Sequence, residues 1–435
     1  MNRMNPLYIL LLSVALGLGV GAAQAQVPGC PMTPVGVVPL VNTGLPVVEI
    51  WTNAYAPILD RENYVKGCMR ITDGSKQTYG QGLYLGAIDI RGRGNSTWDM
   101  PKKPYRVKLP TPGAQVLDMP VDRDWVLLAN YADKTLLRTD VGMELSRRLG
   151  MAWTPRLRHV EVYLNGAYQG SYQLGEHVKV APNRVNVAAM TATDVAPPNV
   201  SGGYLVETDY IEYTGAGDVL TSTSSGILFN IKSPGSSTGL QTQVNYISAY
   251  LQSVENLLLS DNFSVSAGYP TLIDTDTFID WWIAKELVKD PDGAFNSSVY
   301  LYKDRGAKLK MGPLWDFDLS LGNDDFCDAQ FSTGWWIRAN AEWIAHLFND
   351  PAFRAKVLAR WKALKATQID TLLPYIDQTA AALDASQREN FKRWDILNTY
   401  VWPNAVVTGS YGGEVAYVKD WLKKRIQWMD KNIKK

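Results

Sequence analysis

Short strands first, long helices later, and acidic loops set among the helices: this order predicts an α+β fold. Three observations carry it. Residues 46 to about 110 hold apolar runs bounded by Gly, Pro and Asn, which read as strands and turns. The dipeptide Asn165 and Gly166 sits between two further apolar runs, the strongest short signal for a β-hairpin. From about residue 241 the apolar spacing becomes helical.

In chain order, LPVVEIWT and GAIDIRGRG read as the first strands. YRVKL alternates, with Tyr105, Val107 and Leu109 on one face and Arg106 and Lys108 on the other. Leu136, Leu137, Val141, Leu145 and Leu149 recur at helical spacing, so a helix is expected over 133–149, stopped by Gly150. The hairpin HVEVYLNGAYQGSYQLGEHV follows, ending at Glu176 and His177. Residues 190–240 are turn-rich, with GGYLVETDY and GILFNIKSP as another strand pair. Amphipathic helices are expected over 241–260 and 276–289, the second ended by Pro291. Two or three helices fill 340–433, the last with Val415, Val418, Trp421, Leu422, Trp428 and Met429 on one face.

Composition narrows the function classes. The 435 residues carry 43 basic and 43 acidic side chains, so the basic excess of a nucleic-acid binder is missing. The 15 Trp and 22 Tyr serve a core better than a sugar-binding surface, because Trp335 and Trp336 form the one adjacent Trp pair outside a helix. His159, His177 and His346 lack the close spacing of a zinc site. The N-terminus combines Arg3, an apolar run and Ala23, Gln24 and Ala25, which reads as a signal peptide over 1–25. An extended Pro/Val-rich leader follows over 26–45. An exported chain can join two of Cys30, Cys68 and Cys327 and leave one over. No later segment is long and apolar enough to span a membrane.

The chemistry concentrates in two acidic loops around the strand SVYLYKD. KDPDGAFNSS carries Asp290, Asp292 and Asn296, and GPLWDFDLSLGND carries Asp316 and Asp318. Carboxylates with an amide oxygen suit Mg²⁺, a hard cation that keeps room for waters and phosphates. In a phosphoryl-transfer site, one loop supplies a base Asp and an Asn and a second supplies the metal-binding Asp.

These loops, with RGRGNSTWDMPKKPYRVKL, DWVLLANYADKTLLRTDVGMELSRRLGM, VEVYLNGAYQGSYQLGEHV, GGYLVETD, IKSP and RWDILNTYVWPN, resemble the CotH family of atypical kinases, in its secreted bacterial branch. The likeness covers roughly residues 46 to 432. It implies a two-lobed kinase-like domain over 46–433, with a sheet-rich N-lobe over about 46–180, a helical C-lobe over about 181–433 and the site in the cleft between. It implies ATP or another nucleotide with Mg²⁺ or Mn²⁺ as cofactors and a protein hydroxyl as acceptor.

Residue by residue, the resemblance makes Asp316 a metal ligand, with Asp318 beside it. Asp292 becomes the catalytic base, with Asp290 as its rival. Asn296 becomes a second metal ligand, although it follows Asp292 by four residues where kinases use five. Lys108 would meet the nucleotide phosphates and pair with Glu144; Lys102, Lys103 and Arg106 are its rivals. Arg93 and Gly94 belong to a loop that would cover the phosphates with backbone N–H groups. A non-catalytic relative that uses the scaffold for binding or surface assembly is the alternative. Export is checked by sequencing the mature N-terminus, expected at Gln26; an intact Met1 on a cytoplasmic product would exclude it.

Overall fold

The structure is a computed structural model that describes residue 30 and residues 40–74, 84–235 and 240–434. The expected signal peptide and most of the leader lie outside the described residues.

The first lobe is a closed barrel. Strands β1 (Val47–Thr52), β2 (Val65–Thr72) and β3 (Tyr84–Gly92) lead through the single helical turn α1 (Ser96–Asp99) to β4 (Tyr105–Lys108). A small separate hairpin, β5 (Ala114–Val116) and β6 (Met119–Asp122), precedes β7 (Asp124–Leu128). The hairpin β8 (Leu157–Leu164) and β9 (Ala167–Glu176) completes the barrel, while helix α2 (Arg138–Leu149), which precedes it in the chain, buries its apolar side in the core of the second lobe. The barrel order is β1-β2-β3-β4-β7-β9-β8, closed by a parallel pairing of β8 with β1. Its interior is the apolar side of each alternating strand, including Val48, Ile90, Val107 and Trp125, all fully buried. Tyr105, Val107 and Leu109 face inward as their spacing predicts. Asn165 and Gly166 both take positive φ, 51° and 81°, as the tight hairpin turn requires. A disulfide joins Cys30 to Cys68 on β2, while Cys327 is a free thiol.

Helix α2 starts five residues later than its apolar spacing predicts. Asp133 accepts the backbone N–H groups of Thr135 and Arg138 and the Arg138 guanidinium at 2.6 Å, and this turn replaces the first helical turn. Leu136 takes φ 59° inside it. Gly150, at φ 75°, ends the helix as expected.

The second lobe holds a five-stranded antiparallel sheet, ordered β11-β12-β10-β13-β14. Its strands are β10 (Tyr204–Thr208), β11 (Leu220–Ser222), β12 (Leu228–Ser233), β13 (Val299–Lys303) and β14 (Lys310–Met311). Helices α3 (Gln241–Leu259) and α4 (Thr275–Val288) pack behind it. The expected amphipathic character of α4 is not found: every residue from Phe278 to Val288 except Asp280 is buried. The helix runs through the middle of the core, and ion pairs neutralise its charges. Glu286 meets Arg425 at 2.7 Å, both fully buried. The stop is Lys289 at φ 52°, two residues before Pro291.

Beyond the acidic loops come α5 (Ile337–Asn340), α6 (Glu342–Leu347), α7 (Pro351–Leu364), α8 (Leu372–Ala382), α9 (Asp384–Arg393) and α10 (Tyr411–Asn432). The tail therefore has more helices than the two or three expected. A short π-helix at Lys365–Ile369, followed by α8 with Pro374 in its first turn, and the single residue Leu383 between α8 and α9 divide what the apolar pattern ran together. Among the described residues no helix is long and apolar enough to cross a membrane.

One close contact seats α2 on the acidic-loop segment. Gly142 of α2 lies under the Phe317 ring, where an added Cβ would sit 2.3 Å from ring carbons. Gly142→Ala therefore forces the ring or the helix to move. We expect a loss of about 1–3 kcal/mol, read from the urea midpoint, as for other overpacked cores; an unchanged midpoint would show the contact to be slack.

Candidate active site

Between the barrel and the second lobe lies a cleft of about 680 Å³. Its floor is built by the two acidic loops. Asp292, Asp316 and Asp318 all line it, although they come from loops on either side of β13. Asp316 takes φ 62°, a left-handed conformation that Asp tolerates better than most residues. Its neighbours Trp315 and Phe317 are buried, so the chain alternates in and out and leaves both carboxylates facing the cavity.

Asp290, the rival of Asp292, has a different task. Its carboxylate is buried and binds the Lys285 ammonium. The same ammonium donates to the carbonyls of Trp315 at 2.5 Å and Asp316 at 3.3 Å. One lysine thus fastens both acidic loops to α4, and Asp292 is the carboxylate left facing the cleft.

The cleft carboxylates act on one another. Burial raises the Asp292 carboxyl well above the usual carboxylate range, and Asp290, Asp316 and Asp318 push it in the same direction. Burial and then Asp316 and Asp133 push Asp318 up to about 8. A cation bound among them would offset this repulsion and favour their ionised forms. Among the described residues no three His, Cys, Asp or Glu side chains form a ready-made metal cage. Mg²⁺ usually takes one or two carboxylates and completes its shell with water and phosphate oxygens, so Asp316 and Asp318 fit as a donor set of that kind. Asn296 does not line the cleft; Ser297 and Ser298 do.

The opposite wall is cationic. Arg93, from the loop after β3, is the expected residue that faces the carboxylates: burial lowers its pKa, and Asp316 and then Tyr300 and Asp318 work against that. Its loop is held by Arg61, which donates to the Gly94 carbonyl at 2.7 Å and to Asn95 Oδ1 at 3.0 Å. Gly94 lines the cleft at φ 83°, where a Cβ would meet Thr97 Oγ1 at 2.1 Å.

The expected Lys108–Glu144 pair is not made. Lys108 packs its ammonium 4.7 Å from the Tyr64 ring centroid and is absent from the cleft wall. Glu144 is taken by Arg147 at 2.9 Å and Arg148 at 2.7 Å, its neighbours one helical turn on. Arg106, two residues before Lys108 on the same strand face, lines the cleft instead.

The sequence reading missed a third wall. Glu207 and Asp209 share one face at the end of β10, and Asn230 and Lys232 share one face of β12; all four line the cleft. Lys232 meets Glu207 at 3.1 Å. Asp209 accepts a hydrogen bond from Ser297 Oγ at 2.9 Å. The period-two spacing of these polar residues within GGYLVETD and GILFNIKSP was the available signal. His177, where the chain leaves β9, is also in the wall; burial, and then Arg106, Arg93 and Lys232, hold its pKa well below the usual value, so it stays neutral.

The family model described as CotH kinase protein matches residues 90–429. The chain belongs to the CotH kinase family. No curated protein matches it. In this CotH-family chain the matched segment spans the barrel from the end of β3 to the last helix, and so contains every cleft carboxylate discussed above.

Asp124 sets the position of Arg106, at 2.8 Å, and also binds Lys179 at 2.7 Å. Burial alone would raise its pKa, but the hydrogen bonds and charges of Lys179 and Arg106 outweigh that and hold it at about 2. A carboxylate with a depressed folded pKa contributes stability above its unfolded value near 4, and that stability is lost as pH falls toward about 2. Asp124→Asn is expected to cost about 1 kcal/mol at pH 7 and to flatten the wild-type loss of stability between about pH 4 and pH 2. Equal acid sensitivity in both proteins, followed by denaturant melts, would contradict this assignment.

Proposed function

We propose that this protein is an exported atypical kinase that transfers a phosphoryl group from ATP or another nucleotide to a Ser/Thr-type hydroxyl of a secreted or surface protein. The observation that carries the reading is the convergence of Asp292, Asp316 and Asp318 on one cleft beneath Arg93 and Arg106. When bound, Mg²⁺ or Mn²⁺ would supply positive charge between Asp316, Asp318 and the phosphate oxygens. Arg93 and Arg106 are placed to neutralise those oxygens from above. Asp292 is placed to align the acceptor hydroxyl and take its proton as the new O–P bond forms and the bond from the γ-phosphorus to the nucleoside diphosphate breaks. The Cys30–Cys68 disulfide supports an oxidising compartment, in keeping with the leader sequence.

The missing Lys108–Glu144 pair favours one other reading, a kinase-shaped scaffold that binds without catalysis. Two mutants separate these. Asp316→Ala is expected to abolish metal-dependent nucleotide binding in calorimetric titrations. Asp292→Ala is expected to bind nucleotide nearly as well as wild type and to slow transfer by ~10²–10⁴-fold. Wild type that binds no nucleotide with either metal, and labels no acceptor, would leave the scaffold.

A further inference from the structure

The loop from Asp292 to Ser298 is turned by two residues with left-handed backbone, Phe295 at φ 64° and Ser298 at φ 56°. The N–H groups of Asn296 and Ser297 both point back to the Asp292 carbonyl, at 3.2 and 3.4 Å. The turn brings Ser297 into the cleft wall and leaves Asn296 outside it. Ser297 is also the fifth residue after Asp292, the separation at which kinase loops place the Asn that binds a second cation.

We propose that Ser297, held by Asp209, is the second cation ligand of this site. The inference rests on the kinase reading above and assigns a ligand within it. Ser297 is 4 % exposed, and its hydroxyl proton is committed to Asp209 Oδ1 at 2.9 Å. A hydroxyl that donates in one direction keeps its oxygen lone pairs for another partner. Ser297 lines the same cleft as Asp292. The Asp209 carboxylate is fixed in turn by the Tyr210 N–H at 3.0 Å on the same oxygen. Asp209 is thus a positioning residue: it orients the hydroxyl, as outer-shell carboxylates orient metal ligands elsewhere. A neutral hydroxyl ligand also suits a cleft already lined by three carboxylates, since it adds an oxygen without adding charge.

The test uses the full mature chain, Mn²⁺ and a non-hydrolysable ATP analogue, with bound Mn²⁺ counted by electron paramagnetic resonance. Wild type is expected to hold two Mn²⁺ per analogue. Ser297→Ala should weaken the second by at least about tenfold, and Asp209→Asn by about 10–100-fold, the usual cost of losing an orienting partner. Asn296→Ala should leave both in place. Ser297→Cys should shift the second site from Mg²⁺ toward the softer Cd²⁺, a change in preference that a merely structural serine would not produce. Loss of the second Mn²⁺ in Asn296→Ala, or its retention in Ser297→Ala, would overturn the assignment while leaving the kinase reading intact. Wild type that holds no Mn²⁺ with the analogue would overturn both.

Discussion

The Lys285 ammonium is the interaction on which the site depends. It sits at the C-terminal end of α4, inside the core, and joins three things that are distant in sequence or separately folded. It neutralises Asp290, it takes the carbonyls of Trp315 and Asp316, and it lies 4.5 Å from the Phe317 ring centroid. Burying such a charge is costly, and an apolar pair would often be as stable. An apolar pair would not, however, satisfy the two carbonyls or fix the acidic loops relative to each other. The specificity of this arrangement explains why Asp292 and Asp316 meet at all. Phe317 adds a second constraint, because it is held between Lys285 and the bare face of α2 at Gly142.

Charge is then divided between the lobes. The floor is acidic, with Asp316 raising both Asp292 and Asp318; the barrel side presents Arg93 and Arg106. A polyphosphate with its cation is complementary to both at once, with the cation toward the floor and phosphate oxygens toward the roof. The groups that position this roof are themselves tied down. Arg106 is bound by Asp124, and the Arg93 loop is pinned by Arg61. Oriented charges of this kind need little rearrangement as charge moves during a reaction, which is where electrostatic catalysis gains most.

Much of this was legible from residues alone. Strand alternation marked Tyr105, Val107 and Leu109 as interior, and Asn165 with Gly166 marked the hairpin. The two acidic loops were visible because Asp, Pro and Gly cluster there around a short apolar strand. What failed did so for physical reasons. Arg106 and Lys108 lie on the same face of one strand, and nothing in YRVK says which of them Tyr64 will capture. Glu144 looked free to pair across the cleft, yet Arg147 and Arg148 lie one turn away on its own helix. Helix α4 was read as amphipathic because its charged residues were assumed to face water; Lys285 and Glu286 are instead paired inside. Glu207 and Lys232 were hidden because each sits in an ordinary strand, and only the β10–β12 pairing brings them together.

The lobes are also fastened through Lys102, and this bears on how the cleft is built. Lys102 is buried and donates to the Ser171 carbonyl at 2.5 Å and to Asn390 Oδ1 at 2.9 Å. Asn390 Oδ1 accepts the Ser171 N–H as well, at 3.1 Å. Trp394 and Arg393 donate to the carbonyls of Gln169 and Tyr168. Helix α9 is thereby stitched to β9, the strand from which the chain enters the second lobe. Gly170 permits the approach, since a Cβ there would meet Asn390 Oδ1 at 2.5 Å. Lys102 also lines the cleft, so the clamp borders the wall that carries Arg93 and Arg106. Because Lys102 comes just before β4, the clamp that fastens α9 to β9 also fixes the strand carrying Arg106, and so holds the roof in register over the floor.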